Sequence, residues 1–248
     1  MTPSETTSSI ESLLRKFKLS TAASEVEQAF VRAGRADALP VLEEVLLAEA
    51  DARMHRRVDR LRRQSRLPPG KTMATLDLDR LGLSLASQLR ELARGGFADR
   101  AENVLAFGLP GTGKSHAACA IGHELVAAGR SVLFAPTFKL VQDLLVAKRD
   151  LELPRMLRKL DRFEVIVLDD IGYVQQSPEE IEVLFTLMAE RYERRSLVIT
   201  SNLVFSQWDR IFQNPMTTAA AIDRLVHHSV VLEFDVESYR SGPREDDA

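Results

Sequence analysis

The segment Gly108-Leu109-Pro110-Gly111-Thr112-Gly113-Lys114-Ser115 carries the residue types that cradle a polyphosphate, in the complete G-x-x-x-x-G-K-[ST] spacing. Glycines let main-chain amides curl around an anion without side-chain clash, and a helix opening at Lys114 adds the positive end of its dipole. In such a loop Lys114 reaches the β- and γ-phosphates of a nucleoside triphosphate, and the Ser115 hydroxyl offers a ligand to Mg²⁺. The expected nucleotide contacts are Gly108, Pro110, Gly111, Thr112, Gly113, Lys114, Ser115 and His116. A plain glycine-rich turn is the bland alternative, and the full pattern directly after an apolar run argues against it.

Two further runs deliver polar groups from apolar stretches. Val165-Ile166-Val167-Leu168 ends in Asp169-Asp170, fifty-five positions after Lys114, and Leu197-Val198-Ile199-Thr200-Ser201 ends in Asn202. Carboxylates at the C-terminal end of a parallel strand lie on the rim where ligands bind. Asp169 is expected to hold Mg²⁺, directly or through water, and Asp170 to orient or deprotonate an attacking water. Asn202 can hold that water or a γ-phosphate oxygen without adding charge. ATP and Mg²⁺ are thus the expected ligands, and hydrolysis is implied as well as binding.

These residues need a scaffold that brings three strand ends together. From Asn103 onward, short apolar runs alternate with helical patterns, as in a parallel sheet covered on both faces. Strands are predicted at Val104–Phe107, Val132–Ala135, Val165–Asp169, Leu197–Thr200 and Val230–Phe234. Helices are predicted at Lys114–Ala128, Phe138–Lys148, Pro154–Leu160, Pro178–Arg194 and about Thr218–His227. Residues from about Ser8 to Leu67 read as helical, with Leu39, Leu42, Leu46, Ala50, Met54, Val58 and Leu61 forming one apolar stripe. Pro68-Pro69-Gly70 ends that stretch. The expected organisation is a helical module over 1–70, a linker with a helix over 71–102 and an α/β domain over 103–248.

At 248 residues, 45% hydrophobic and 28% charged, the chain can bury a sizeable core and does not read as disordered. No run approaches the roughly 18 apolar residues of a spanning helix, and the first residues lack a signal pattern, so a cytoplasmic protein is expected. One cysteine, Cys119, excludes an internal disulfide and reads as a small buried hydrophobe. His227-His228 lacks metal-ligand company, and Trp208 reads as a loop anchor, with stacking on a base as the alternative. The net charge of −3 hides an asymmetry: Arg53 to Lys71 carries +7, which leaves −10 on the rest. Arg53, Arg56, Arg57, Arg60, Arg63 and Arg66 are the candidate phosphate contacts, and Lys148, Arg149, Arg155, Arg158 and Lys159 form a second basic surface. Neither carries a base-reading motif, so recognition of a phosphate backbone by charge and shape is expected, salt-sensitive and largely sequence-independent. For either run, a solvated helix face is the plain alternative.

The phosphate loop, the Asp-Asp strand and the Thr200-Ser201-Asn202-Leu203 strand, in this order, resemble an AAA+ ATPase. Glu102-Asn103-Val104, Asp170-Ile171-Gly172-Tyr173, Glu190 to Ser196, Phe205-Ser206-Gln207-Trp208, Asp223 to His228 and Ser238-Tyr239-Arg240 narrow the resemblance to the IstB family. These are helper ATPases of bacterial insertion sequences, related to DnaC-type helicase loaders, and the likeness includes the Glu49–Asp79 stretch. The resemblance implies a five-stranded parallel AAA+ core behind a small helical module. It also implies a DNA-binding ATPase that multimerises on DNA and serves a partner transposase in target selection and strand transfer. In AAA+ proteins an arginine from the neighbouring subunit touches the γ-phosphate; Arg224 is the candidate, with Arg210 in reserve. Fourteen residues follow Phe234, too few for a full C-terminal lid, so Arg240 would have to stand in for a lid-borne arginine. A helicase loader is the nearest alternative function. A small-molecule kinase would need an acceptor pocket and a lid that the sequence does not display.

Overall fold

A computed structural model describes residues 3–172, 177–203, 207–208, 225, 228–236 and 238, with side chains from residue 9 onward. Chain contacts divide it into two compact units, Met1–Arg60 and Leu61–Ala248. The first unit is helical. α1 (Pro3–Lys16) and α2 (Ser20–Arg32) precede a short 3₁₀ turn and then α3 (Leu39–Ser65). Ile10, Leu14, Phe17, Ala23, Leu39 and Leu46 form its core, with Leu42 and Ala50 packed against them. The apolar stripe predicted along α3 is therefore broken: Met54 is 40% exposed. Periodicity marks which residues share a face, but whether that face meets a partner along its whole length depends on tertiary packing. Val41, Val45 and Leu47, off the stripe, are also exposed.

In the second unit, α4 (Leu83–Ala93) and the short α5 (Gly96–Asp99) lead into β1 (Asn103–Gly108) and α6 (Lys114–Ala127). There follow β2 (Val132–Pro136), α7 (Thr137–Arg149), α8 (Leu153–Leu160), β3 (Val165–Ile171), α9 (Pro178–Arg191), β4 (Ser196–Ser201) and β5 (Ser229–Phe234). The strands form one parallel sheet in the order β2-β3-β4-β1-β5. Each predicted strand is present, and the helix ends differ by a few residues, the largest shift being the end of α9 at Arg191. Apart from Leu225, the helix expected over Thr218–His227 lies outside the described residues, as do Arg210, Arg224 and Arg240.

The order of the strands explains the apolar runs. β3, β4 and β1 are interior, and their side chains are buried on both faces except where β3 reaches Asp169 and Asp170. β1 and β3 flank β4, so the C-terminal ends of all three open on one rim, and the phosphate loop leaves β1 there. Buried Asn103 locks the other end: its carbonyl oxygen accepts from the Leu197 amide at 2.9 Å, and its amide group donates to the Leu225 carbonyl at 3.3 Å. α9 begins with a capping box in which Ser177 accepts from the Glu180 amide and Glu180 accepts from the Ser177 amide.

Candidate functional site

The phosphate loop has the backbone its glycines allow. Gly111 and Gly113 sit at φ +84° and +97°, a region closed to most side chains, and this turns the loop back so that α6 starts at Lys114. Thr112 is fully buried, and its hydroxyl donates to the Leu109 carbonyl at 2.9 Å, bracing the turn. Lys114 is buried, and its ammonium donates to the carbonyls of Gly108 and Leu109 at 2.8 and 2.7 Å. An ammonium parked on loop carbonyls beside open amides is poised to move to an incoming phosphate, because an ionised acceptor binds it more strongly than a neutral one.

Opposite the loop, β3 ends in a bulge. Its register with β4 shifts between Leu168 and Ile171, and Asp170 takes φ +66°, left-handed for a non-glycine residue. The extra residue turns the Asp170 side chain out of the ladder toward the rim. Two neighbours on β4 fix the result. The Thr200 hydroxyl donates to Asp169 Oδ1 at 2.8 Å and accepts from the Asp170 amide at 2.8 Å. The Asn202 amide group donates to Asp170 Oδ1 at 3.0 Å. The main-chain carbonyl of Asp169 accepts from the Thr137 hydroxyl at 2.9 Å.

A cavity of about 390 Å³ collects these pieces. Pro110, Gly111, Gly113, Lys114, Ser115 and His116 line it from the loop, and Asp170 and Asn202 from the opposing strand ends. Lys71, Thr75, Leu76 and Asp77 close the remaining side. His116 ties this last segment to α6, with Nε2 3.1 Å from the Thr72 carbonyl and 3.0 Å from the Thr75 hydroxyl. The structure brings Lys114, Asp170 and Asn202 together on this one cavity. Asp169 does not line the cavity; it is held beside Asp170 through Thr200. The sequence reading missed the Lys71–Asp77 segment and the bridging hydroxyl of Thr200.

The sequence profile of the IstB-like ATP binding protein family matches residues 12–246. The chain belongs to this family. It is 46% identical over 193 residues to an insertion sequence ATP-binding protein of Sinorhizobium fredii, covering 77% of this chain and 65% of that protein. It is 36% identical over 234 residues to the ATP-binding protein of insertion sequence IS21 from Pseudomonas aeruginosa, covering 93% of this chain and 88% of the relative. The fold is that of AAA+ proteins: the DnaC helicase loader superposes with a TM-score of 0.54 at 17% identity, over 61% of this chain and 89% of that one. The chain thus joins kinship with insertion-sequence ATP-binding proteins to a fold shared with DnaC.

Outside the nucleotide cavity, this IstB-like chain distributes its basic residues unevenly. Arg53 and Arg56 both reach Glu49, at 2.6 and 3.2 Å, and Arg53 also stacks over the Phe17 ring at 4.1 Å. The Arg53 hydrogen bond, more than any other influence, holds the half-buried Glu49 carboxyl below the usual range. Arg57 and Arg60 are exposed on the same helix, and Arg63 and Arg66 border a cavity beside β2. The second basic surface is largely ion-paired, Lys148 with Glu182, Arg149 with Glu179 and Arg155 with Glu152. Trp208 is fully buried, donates to the Leu203 carbonyl at 3.0 Å and meets Phe107 edge-on, as expected of a loop anchor. Among the described residues no cluster of ligating side chains suits a structural metal, and no helix is long and apolar enough to cross a membrane.

Proposed function

We propose that the protein hydrolyses ATP as a switch that governs its assembly on duplex DNA, where it assists a transposase in target selection and strand transfer. The observation that carries the hydrolytic part is the Asn202–Asp170 hydrogen bond facing Lys114 across one cavity. A carboxylate held by an amide at fixed distance can orient a water and take its proton. The buried ammonium of Lys114 neutralises charge that builds on the transferred phosphoryl oxygens, and the loop amides bind the phosphates in place. Lys71 and Leu76 bound the far side of the cavity, where a base and ribose would be enclosed. Ser115, whose hydroxyl lines the cavity, and Asp169, held beside Asp170 through Thr200, are the residues that would hold Mg²⁺, and the ion would supply further neutralisation of the phosphates. Arg224 of a neighbouring copy is the proposed trans contact to the γ-phosphate, which would make turnover depend on assembly.

For DNA, the exposed run Arg53, Arg56, Arg57 and Arg60 supports contact with the phosphate backbone. The helical module over 1–70 is the proposed DNA-binding and assembly element, and the site of action is the bacterial cytoplasm. Kinship with insertion-sequence proteins supports a transposase as the partner, whereas the fold shared with DnaC supports a helicase as the second reading. Pull-down of the purified protein against each partner separates the two. The hydrolytic assignment is tested by Asp170→Asn, which should lower kcat about 100-fold or more while ATP affinity stays within a factor of a few. Unchanged turnover in that variant would remove Asp170 from the chemistry.

A further inference from the structure

A second cavity, of about 730 Å³, runs along the outer edge of β2. Among the described residues β2 ends the sheet and pairs with β3 alone. Because the Ser131 carbonyl accepts from the Val165 amide at 3.2 Å, alternation along the strand turns the main-chain groups of Leu133 and Ala135 toward β3. Those of Val132 and Phe134 then face outward, into the cavity's side. Leu133, Phe134, Leu140, Met156 and Phe163 give the cavity an apolar floor. Its rim carries Arg63, Arg66, Lys139, Lys159 and Arg162 against one carboxylate, Asp143.

Many of the protein's other cations are ion-paired. Arg94, Arg100, Arg130, Lys148, Arg155 and Arg194 each sit within 3.4 Å of a carboxylate. None of the five rim cations has such a partner among the described residues. An open strand edge offers a row of donors and acceptors that a second extended chain can complete, while flanking side chains choose its sequence. A nucleic acid has no main-chain ladder to match the edge, and the floor is apolar.

We propose that the β2 edge is a docking groove for an extended acidic peptide segment of a partner protein. The segment adds a short strand beside Val132 and Phe134, sets alternate apolar side chains on the floor and directs its carboxylates to Lys139, Arg162 and their neighbours. Pro136, which has no amide hydrogen, limits the added ladder to those few residues. The groove lies outside the nucleotide cavity and shares no lining residue with it, so the inference stands independently of ATP hydrolysis.

The test uses the full chain and a fluorescent, end-capped octapeptide alternating glutamate and valine. Three comparison probes are added: the same peptide N-methylated at alternate residues, a lysine–valine counterpart and single-stranded oligo-dT. The glutamate peptide should bind and slow amide exchange across Val132–Phe134. N-methylation and the double variant Lys139→Glu/Arg162→Glu should each weaken it at least tenfold, and the lysine peptide should bind the variant better than the parent. Both substituted residues are exposed, and unchanged ATP affinity checks that the variant folds. The proposal is overturned if the glutamate peptide does not bind, if the N-methylated peptide binds equally well, or if oligo-dT alone produces the slowed exchange. The first result would leave the cations as guards of a bare edge, and the last would make the groove a nucleic-acid surface.

Discussion

Thr200 links the two acidic residues of the site, and its contribution can be separated from theirs. One hydroxyl donates to the Asp169 carboxylate and accepts from the Asp170 amide, so it fixes the proposed metal holder and the proposed proton acceptor in one frame. Thr200→Val keeps the shape and removes both bonds. We expect kcat to fall about tenfold to a hundredfold with KM little changed, since misplacing a base by a fraction of an ångström costs rate more than binding. Thr200→Ser should restore most of the loss, and a parallel fall in nucleotide affinity without metal would point to collapse of the loop instead. Cys119 makes a second prediction. Burial pushes its thiol up to about 12 from an ordinary 9. The native protein should therefore resist thiol reagents at pH 8 and react only on unfolding. Because the folded state keeps a proton that the unfolded chain gives up, this thiol's stabilising contribution is complete below about pH 9 and is lost as pH rises toward about 12. Cys119→Ala should flatten the fall in Tm across that window.

At the scale of elements, a buried arginine holds the end of α9 to the sheet. The Arg191 guanidinium, 2% exposed, donates to the carbonyls of Leu160, Phe163, Glu164 and Ser196 at 3.0 to 3.2 Å. It thereby clamps the end of α8, the start of β3 and the start of β4. Burial, the largest influence, lowers its pKa to about 9. Arg191→Met leaves those carbonyls short of donors and should lower stability by about 3 kcal/mol, read from denaturant midpoints. Lysine, a point charge in place of a planar fork, should recover only part. This clamp was hidden in the sequence, where Arg191 is one charge within Glu190 to Arg195. What could be read there were features set by local rules: five apolar strands, the phosphate loop and the acidic strand end. What could not were features set by register across strands, such as Thr200 between Asp169 and Asp170, or by a segment folding back, such as Lys71–Asp77 over the loop. Met54 failed for a related reason, since it is exposed although Leu46 before it and Leu61 after it on the same stripe are buried.

At the scale of the whole molecule, the net charge and the charge that meets a ligand have opposite signs. A chain at −3 that holds +7 between Arg53 and Lys71 can approach a polyanion only in one orientation, so the local patch decides the encounter. Each phosphate neutralised adds about −0.9 to the slope of log affinity against log salt for duplex DNA. Arg60→Ala should make that slope shallower by about one and weaken binding alike on unrelated sequences. Arg53→Ala should move it less, because Arg53 already shares Glu49 with Arg56 and stacks over Phe17. The measurement is a salt titration of duplex binding with ATP and again with ADP. If the nucleotide switch governs assembly, the ATP titration should also be cooperative in protein concentration. Equal, non-cooperative curves in the two nucleotides would uncouple DNA binding from the site built around Lys114 and Asp170. Because a charge patch acts on encounter whether or not protomers join, the salt slope and the cooperativity can fail separately, and each failure points to a different part of the chain.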